Sequence, residues 1–326
     1  MEIGYALSSE EHRPLDLVRH AQRAENAGFP FALVSDHFHP WIDRQGQSPF
    51  VWNVIGAIAV STDTLRLGTG VTCPTIRTHP AIIAQAAATS AAMMPGRFFL
   101  GVGTGENLNE HVLGDRWPSA SERREMLEEA VKVMRLLWEG ELTSFEGKHY
   151  RVDDARIYTL PDESIDVMVA AGGPEAAELA GRIGNGLVST APEPDLVSRY
   201  QEAGGAGPRF GQLTVCWAKS EKEARETAFE WWPNAGLKGP LSQELALPSH
   251  FEEAAQMVTV DDVAQVVVCG PDPDDHLEGI GKFVDAGFDQ VYVHQIGPDQ
   301  DGFLDFYERE VLPAAVSLRP RQEVRA

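Results

Sequence analysis

The chain has 326 residues, 43% of them hydrophobic, and 49 acidic against 27 basic side chains give it a formal net charge of −22. That balance makes nucleic acid and anionic membrane surfaces poor partners. No stretch of about 18 uninterrupted apolar residues occurs, so no membrane span is expected, and the start Met1-Glu2-Ile3-Gly4-Tyr5 lacks the basic-then-apolar order of a secretory leader.

Residues 3–7 read as a first strand. Leu15, Leu17, Val18, Ala21 and Ala24 then recur at helical spacing and stop at Ala27-Gly28. A second strand over 31–34 is followed by a helix over 50–60, a strand over 65–71 and a helix over 80–94 with Pro80 at its first position. A strand over 97–102 closes on Gly103-Thr104-Gly105-Glu106, and an amphipathic helix over 121–138 follows, with Ser119 or Ser121 as its cap. Residues 141–161 break the rhythm as an excursion, with a hairpin expected around Phe145-Glu146-Gly147-Lys148-His149-Tyr150. Alternation resumes with a strand over 165–171, a helix over 174–183, strands over 186–189 and 213–218 and a helix over 221–231. An irregular insertion over about 233–260, helices over 261–267 and 275–286, a strand over 290–294 and a helix through 303–311 complete the chain.

Eight strands, most followed by a helix, predict a single (β/α)8 TIM barrel over residues 1–318, with 319–326 as a polar tail. A doubly wound open sheet is the competing architecture, but the first half holds no strand–GxGxxG–helix unit. The chain also echoes itself. Ala27-Gly28-Phe29 leads to a strand ending at His37, and Ala286-Gly287-Phe288 leads to one ending at His294. The cysteines Cys73, Cys216 and Cys269 are odd in number and far apart. A reduced, cytoplasmic protein without a disulfide framework or a metal site is expected.

Three strand ends carry candidate chemistry. The apolar run Phe31-Ala32-Leu33-Val34 ends at Ser35-Asp36-His37-Phe38-His39-Pro40-Trp41, where Asp36 is read as orienting a basic His37 and Trp41 as a flat wall with an N–H donor. A capping aspartate and a packing histidine are the plainer alternative. His37-x-His39 has no further ligands to complete a metal set. Gly101 to Glu110 matches neither nucleotide-loop spacing, so it is either a close backbone approach to a ligand with Glu106 and Asn109 at the mouth or a tight turn. Ala171-Gly172-Gly173-Pro174 joins a strand to a helix whose free amides suit an anion, or is an ordinary βα turn.

Together Ser35-Asp36-His37-Phe38-x-Pro40-Trp41, Leu67-Gly68-Thr69, Pro74-Thr75-x-Arg77, the run Phe99 to Glu110 and Ala170-Ala171-Gly172-Gly173-Pro174 closely resemble the coenzyme F420-dependent glucose-6-phosphate dehydrogenases of the luciferase-like superfamily. The resemblance spans nearly the whole chain and loosens over 233–249. It implies a luciferase-like barrel, often a homodimer, with the deazaflavin at the C-terminal mouth. It also implies His37 as the base for a substrate hydroxyl, Trp41 as the indole lining the substrate site and Glu106 as the acid on the cofactor side. Asp36, Gly70, Val71, Thr104, Asn109, Ala171, Gly172 and Gly173 match cofactor-lining positions, with a cis peptide expected at Gly70-Val71. Glu10, His39, Trp41 and Thr190 are the substrate-side residues. Of the family's sugar-phosphate clamp only Thr190 is retained. Glu193 and Val266 stand at a lysine and an arginine position, and Ser242 aligns with a second lysine better than Lys238 does. These departures predict an F420-dependent dehydrogenase of an alcohol or sugar-like hydroxyl that discriminates against glucose 6-phosphate. An F420H2-dependent reductase, an FMN-dependent monooxygenase and a non-enzymatic cofactor-binding protein are the rivals.

Overall fold

The structure, a computed structural model, describes residues 1–316 and 318; the expected tail over 319–326 lies outside the described residues. Eight strands form the barrel: β1 (Glu2–Leu7), β2 (Phe31–Val34), β3 (Arg66–Thr69), β4 (Phe98–Val102), β5 (Val167–Ala170), β6 (Gly186–Ser189), β7 (Arg209–Cys216) and β8 (Gln290–Gln295). Each pairs in parallel with its sequence neighbour, and β8 returns to pair with β1, so the sheet is closed. β1 therefore stands between β2 and β8, with Tyr5 opposite both Ala32 and Val293.

The strands are short apolar runs because both faces are covered, as parallel sheets require. All four residues of β2 and all five of β4 are buried. Inside, Phe31, Phe99, Met168, Phe210 and Tyr292 pack as a plug, with Phe99 and Phe210 stacked at 5.2 Å. Glycine makes room for these rings: a Cβ on Gly68 would lie 2.1 Å from the Phe99 ring. One step further along the strands the inward positions shrink to Ala6, Leu33, Ala170 and Val188, and a cavity opens above them. The side-chain period of two thus sets both the plug and the floor.

The helices pack outside, and their ends follow local rules. Ser119, one of the two expected caps, accepts from the Glu122 amide at 3.3 Å. Gly28 and Gly287, the glycines of the internal echo, both end their helices at positive φ (93° and 95°). The 141–161 excursion contains the antiparallel pair Thr143–Glu146 and Arg151–Ala155. The helix Pro194–Glu202 was not anticipated; only Leu196, Val197 and Tyr200 face inward, too few to mark a period. The irregular 233–260 stretch holds a 3-10 turn, Pro233–Gly236, and the helices Leu241–Glu244 and Pro248–Ala255. Two further misses are short, the helix Asn107–Glu110 and the strand Val268–Cys269 beside β7. The final helix passes through a π-helical turn at Tyr307–Val311. Among the described residues no helix is long and apolar enough to cross a membrane.

Candidate active site

The loops after β1 to β6, with β7, β8 and the segment before the Pro233 turn, enclose a cavity of about 540 Å³ at the C-terminal mouth. This is within the usual range for a small-molecule site. A depression of about 620 Å³ at the opposite end is lined by Met1 and the Arg209–Asp289 ion pair, whose charges answer each other.

His37 reaches this cavity from the loop after β2. Its Nδ1 is 3.2 Å from the His39 carbonyl, a contact that requires Nδ1–H to donate and leaves Nε2 as the lone-pair nitrogen of the neutral ring. Nε2 is 3.3 Å from Oε1 of Glu10. The Glu10 carboxylate is fully buried and accepts from the hydroxyls of Ser35 (2.6 Å) and Ser8 (3.2 Å). Burial raises this carboxyl, but His37, the Ser35 hydroxyl and His294 outweigh it, and it is held below its ordinary value. An anion is thus fixed beside the imidazole, placed where it would stabilise a positive charge on the ring. Trp41 packs against His37 at 5.0 Å and against Phe251 at 5.2 Å, and its amide donates to Gln45.

The orienting carboxylate is therefore Glu10 and not Asp36. Asp36 does not line the cavity. It accepts from Thr72 Oγ1 at 2.8 Å and pairs with Arg77 at 2.9 Å. The same Arg77 lies 3.6 Å from Glu110, whose other oxygen accepts from the Arg77 amide at 2.7 Å. This buried Asp36–Arg77–Glu110 group ties together the loops after β2, β3 and β4, and the sequence reading did not find it. Burial pushes the Glu110 carboxyl up to about 7, with Glu106 and Asp36 adding to the rise and Arg77 opposing it. Arg77, for its part, is raised by both carboxylates. One guanidinium bonded to Asp36 does not neutralise Glu110 as well, so the upward direction for Glu110 follows from the geometry.

Asn109 and His39 are likewise absent from the cavity lining. The Asn109 carbonyl oxygen accepts from the amides of Phe38 (2.9 Å) and His39 (3.2 Å), and its amide donates to Glu106 at 3.3 Å. It links the His37 loop to Glu106. His39 bonds the Leu108 carbonyl at 2.9 Å and stacks on His111. Glu106, Thr104, Gly70, Val71, Ala171, Gly172, Gly173, Glu10, Thr190 and Ser242 do line the cavity. The peptide between Gly70 and Val71 is cis. Glu193 and Val266 are exposed and outside the cavity wall, as is Lys238.

Several cavity residues escaped the sequence reading. Arg123 and Arg124 enter from the start of the helix Ala120–Trp138. Arg123 is buried, stacks over Trp117 at 4.0 Å and donates to Pro118 and Gln243. Arg124 makes no hydrogen bond or ion pair among the described residues. His294, Trp232 and Gln212 complete the wall on the β7–β8 side. The echo leading to His294 was the one available signal.

A closed parallel barrel whose C-terminal loops enclose a cavity lined by titratable side chains defines the (β/α)8 class, with its cavity where such barrels place their active sites. The luciferase-like monooxygenase family matches residues 1–290, and the chain belongs to it. It is 37% identical to the F420-dependent glucose-6-phosphate dehydrogenase of Mycolicibacterium smegmatis, over 96% of this chain and 97% of that protein. It is also 37% identical to the enzyme of that name from Intrasporangium calvum, over 98% and 100%. Among solved structures, an F420-dependent secondary alcohol dehydrogenase in complex with an F420–acetone adduct superposes with a TM-score of 0.89 at 33% identity, covering 96% of this chain and 98% of that one. The coenzyme F420-dependent tetrahydromethanopterin reductase from Methanopyrus kandleri shares the fold at a TM-score of 0.78 and 23% identity, over 96% and 99%.

Proposed function

We propose that this protein is an F420-dependent dehydrogenase that takes a hydride from the carbon of an alcohol or sugar-like hydroxyl, a hemiacetal C1 or a secondary alcohol, without selectivity for glucose 6-phosphate. The observation that carries the reading is His37, which lines the cavity with Nδ1 on the His39 carbonyl and Nε2 3.3 Å from the Glu10 carboxylate, its counter-charge.

The residues around the cavity fit a large planar cofactor with an anionic tail. A Cβ on Gly172 or Gly173 would meet nothing within 4 Å, so bare backbone faces open space there. Gly173 also begins the helix Pro174–Ile183 with no side chain capping its amides, which suits an anion. Arg124 offers an unpaired cation on the same cavity. Val71, Thr104, Ala171, Gly172 and Gly173 would hold the cofactor, which when bound supplies a hydride acceptor at C5. His37 Nε2 takes the hydroxyl proton as the carbon gives up its hydride, Glu10 stabilises the resulting imidazolium, and Trp41 orients the substrate. Glu106, held by Asn109, is the acid on the cofactor side.

Discrimination against glucose 6-phosphate is supported by the clamp positions. Of these, Thr190 and Ser242 reach the cavity, and among the described residues no lysine lines it. We further infer a cytoplasmic homodimer. The three free thiols suit a reducing compartment, and Leu15, Val60 and Ile82 are large apolar side chains left exposed on the outer helices and their ends; light scattering reads the assembly directly. The test of function is quenching of F420 fluorescence against FMN binding, followed by F420 reduction with glucose, cyclohexanol and glucose 6-phosphate. F420 binding and higher kcat/KM with a neutral substrate are expected. FMN binding in its place, or a clear preference for glucose 6-phosphate, would refute the reading.

A further inference from the structure

The loop after β1 carries two adjacent buried carboxylates, and because β1 stands between β2 and β8, each meets a histidine on a different neighbour. Glu10 lies 3.3 Å from His37 after β2, and Glu11 lies 3.2 Å from Nε2 of His294 on β8. Each imidazole also has an indole against it: Trp41 at 5.0 Å from His37 and Trp232 at 4.6 Å from His294. Both histidines line the same cavity.

The second pair is set up as a hydrogen-bond acceptor. Glu11 is fixed by the Gly297 amide at 2.9 Å, and its other oxygen accepts from His294 Nε2–H. That tautomer leaves Nδ1 with a lone pair, and Nδ1 has no hydrogen-bond partner among the described residues. Gln212 stands on the adjacent strand β7, opposite Tyr292, and points into the same cavity. Its neighbours on the floor are Ala6, Leu33, Ala170 and Val188. An amide with no partner on such a floor is a cost to the free protein unless water or a ligand answers it. An acceptor nitrogen and a donor amide on neighbouring strands are the two halves needed to hold a hydroxyl, which both donates and accepts.

We propose that His294 and Gln212 form a second hydroxyl subsite, with Trp232 as its wall, so that the enzyme selects substrates bearing another hydroxyl close to the one that His37 deprotonates. This rests on the dehydrogenase reading above. The substrate class is a vicinal diol, a polyol or an uncharged aldose, and a monofunctional secondary alcohol leaves the subsite unanswered.

A matched pair of probes isolates the second hydroxyl: cis-cyclohexane-1,2-diol and cyclohexanol, each assayed for F420 reduction by the protein with F420 bound. The wild type should show kcat/KM at least about tenfold higher for the diol, the scale of one or two net hydrogen bonds. Gln212→Leu should lose most of that preference through its effect on the diol, keep its rate with cyclohexanol and bind F420 unchanged by fluorescence quenching. His294→Gln, which keeps a partner for Glu11, should move the same ratio. If the wild type oxidises cyclohexanol as well as the diol, or Gln212→Leu slows both alike, the subsite is overturned while the dehydrogenase reading stands. If F420 binds but neither alcohol nor glucose reduces it, the dehydrogenase reading falls and takes the subsite with it.

Discussion

Glu110→Gln removes a buried carboxyl without removing the acceptor that holds the Arg77 amide. In the folded protein burial pushes this carboxyl from 4.5 up to about 7, and each pH unit is about 1.4 kcal/mol of linkage, so the full effect is about 3 kcal/mol. The folded state holds the proton to higher pH than the unfolded chain does. The stabilising contribution is therefore fully present below pH 4.5 and is lost as pH rises through 7. Between about pH 5 and pH 8 the wild type should lose roughly 2.5 kcal/mol relative to Glu110→Gln, which has no proton to release there. Urea unfolding of both proteins at the two pH values, read by tryptophan fluorescence, gives the difference directly. Parallel profiles would mean that Arg77 neutralises Glu110 after all, and that the Asp36–Arg77–Glu110 group is a balanced cluster with one cation serving two anions.

Other substitutions test other parts of the argument. Glu10→Gln should leave F420 binding intact and lower kcat, by up to the roughly 10²- to 10⁴-fold range of a general base, because the His37 imidazolium loses its counter-charge; an unchanged kcat in steady-state assays would remove Glu10 from the proton-transfer scheme. Asn109→Ala leaves the partly buried amides of Phe38 and His39 without their acceptor. It should destabilise the protein by about 1–3 kcal/mol in denaturant titrations and reduce kcat with little change in F420 affinity. Two glycines give a backbone control. Gly281→Ala, in a helix interior with nothing within 4 Å of the new Cβ, should raise stability by about 0.5–1 kcal/mol. Gly28→Ala, equally open in space but at φ 93°, should lower it by about 1 kcal/mol, and equal melting shifts for the two would contradict the strain argument.

What the sequence by itself determined is the part written in local order. Short apolar runs ending in glycine, polar or titratable residues marked all eight barrel strands, since a buried parallel strand needs little beyond apolar side chains and a stop. Gly28 and Gly287 marked helix ends because only the residue's own backbone freedom is at stake there. His37, Trp41 and Glu106 were legible as strand-end residues for the same reason, and all three line the cavity. The tertiary structure decided which group serves which. Asp36 is next to His37 in sequence, but its carboxylate goes to Arg77 and Thr72. Pairing of β1 with β2 brings Glu10 to His37 from 27 positions away, and barrel closure brings Glu11 to His294 from 283 positions away. Asn109 and His39 sit in the expected loops, and their hydrogen bonds go to the His37 loop, Glu106 and Leu108. The helix Pro194–Glu202 and the wall residues Arg124, Gln212 and Trp232 left no periodic or motif signal, because their placement depends on what packs against them. β1 lies between β2 and β8 only once the sheet has closed, and the cavity then holds two histidine–carboxylate pairs, neither of which is adjacent in the linear chain.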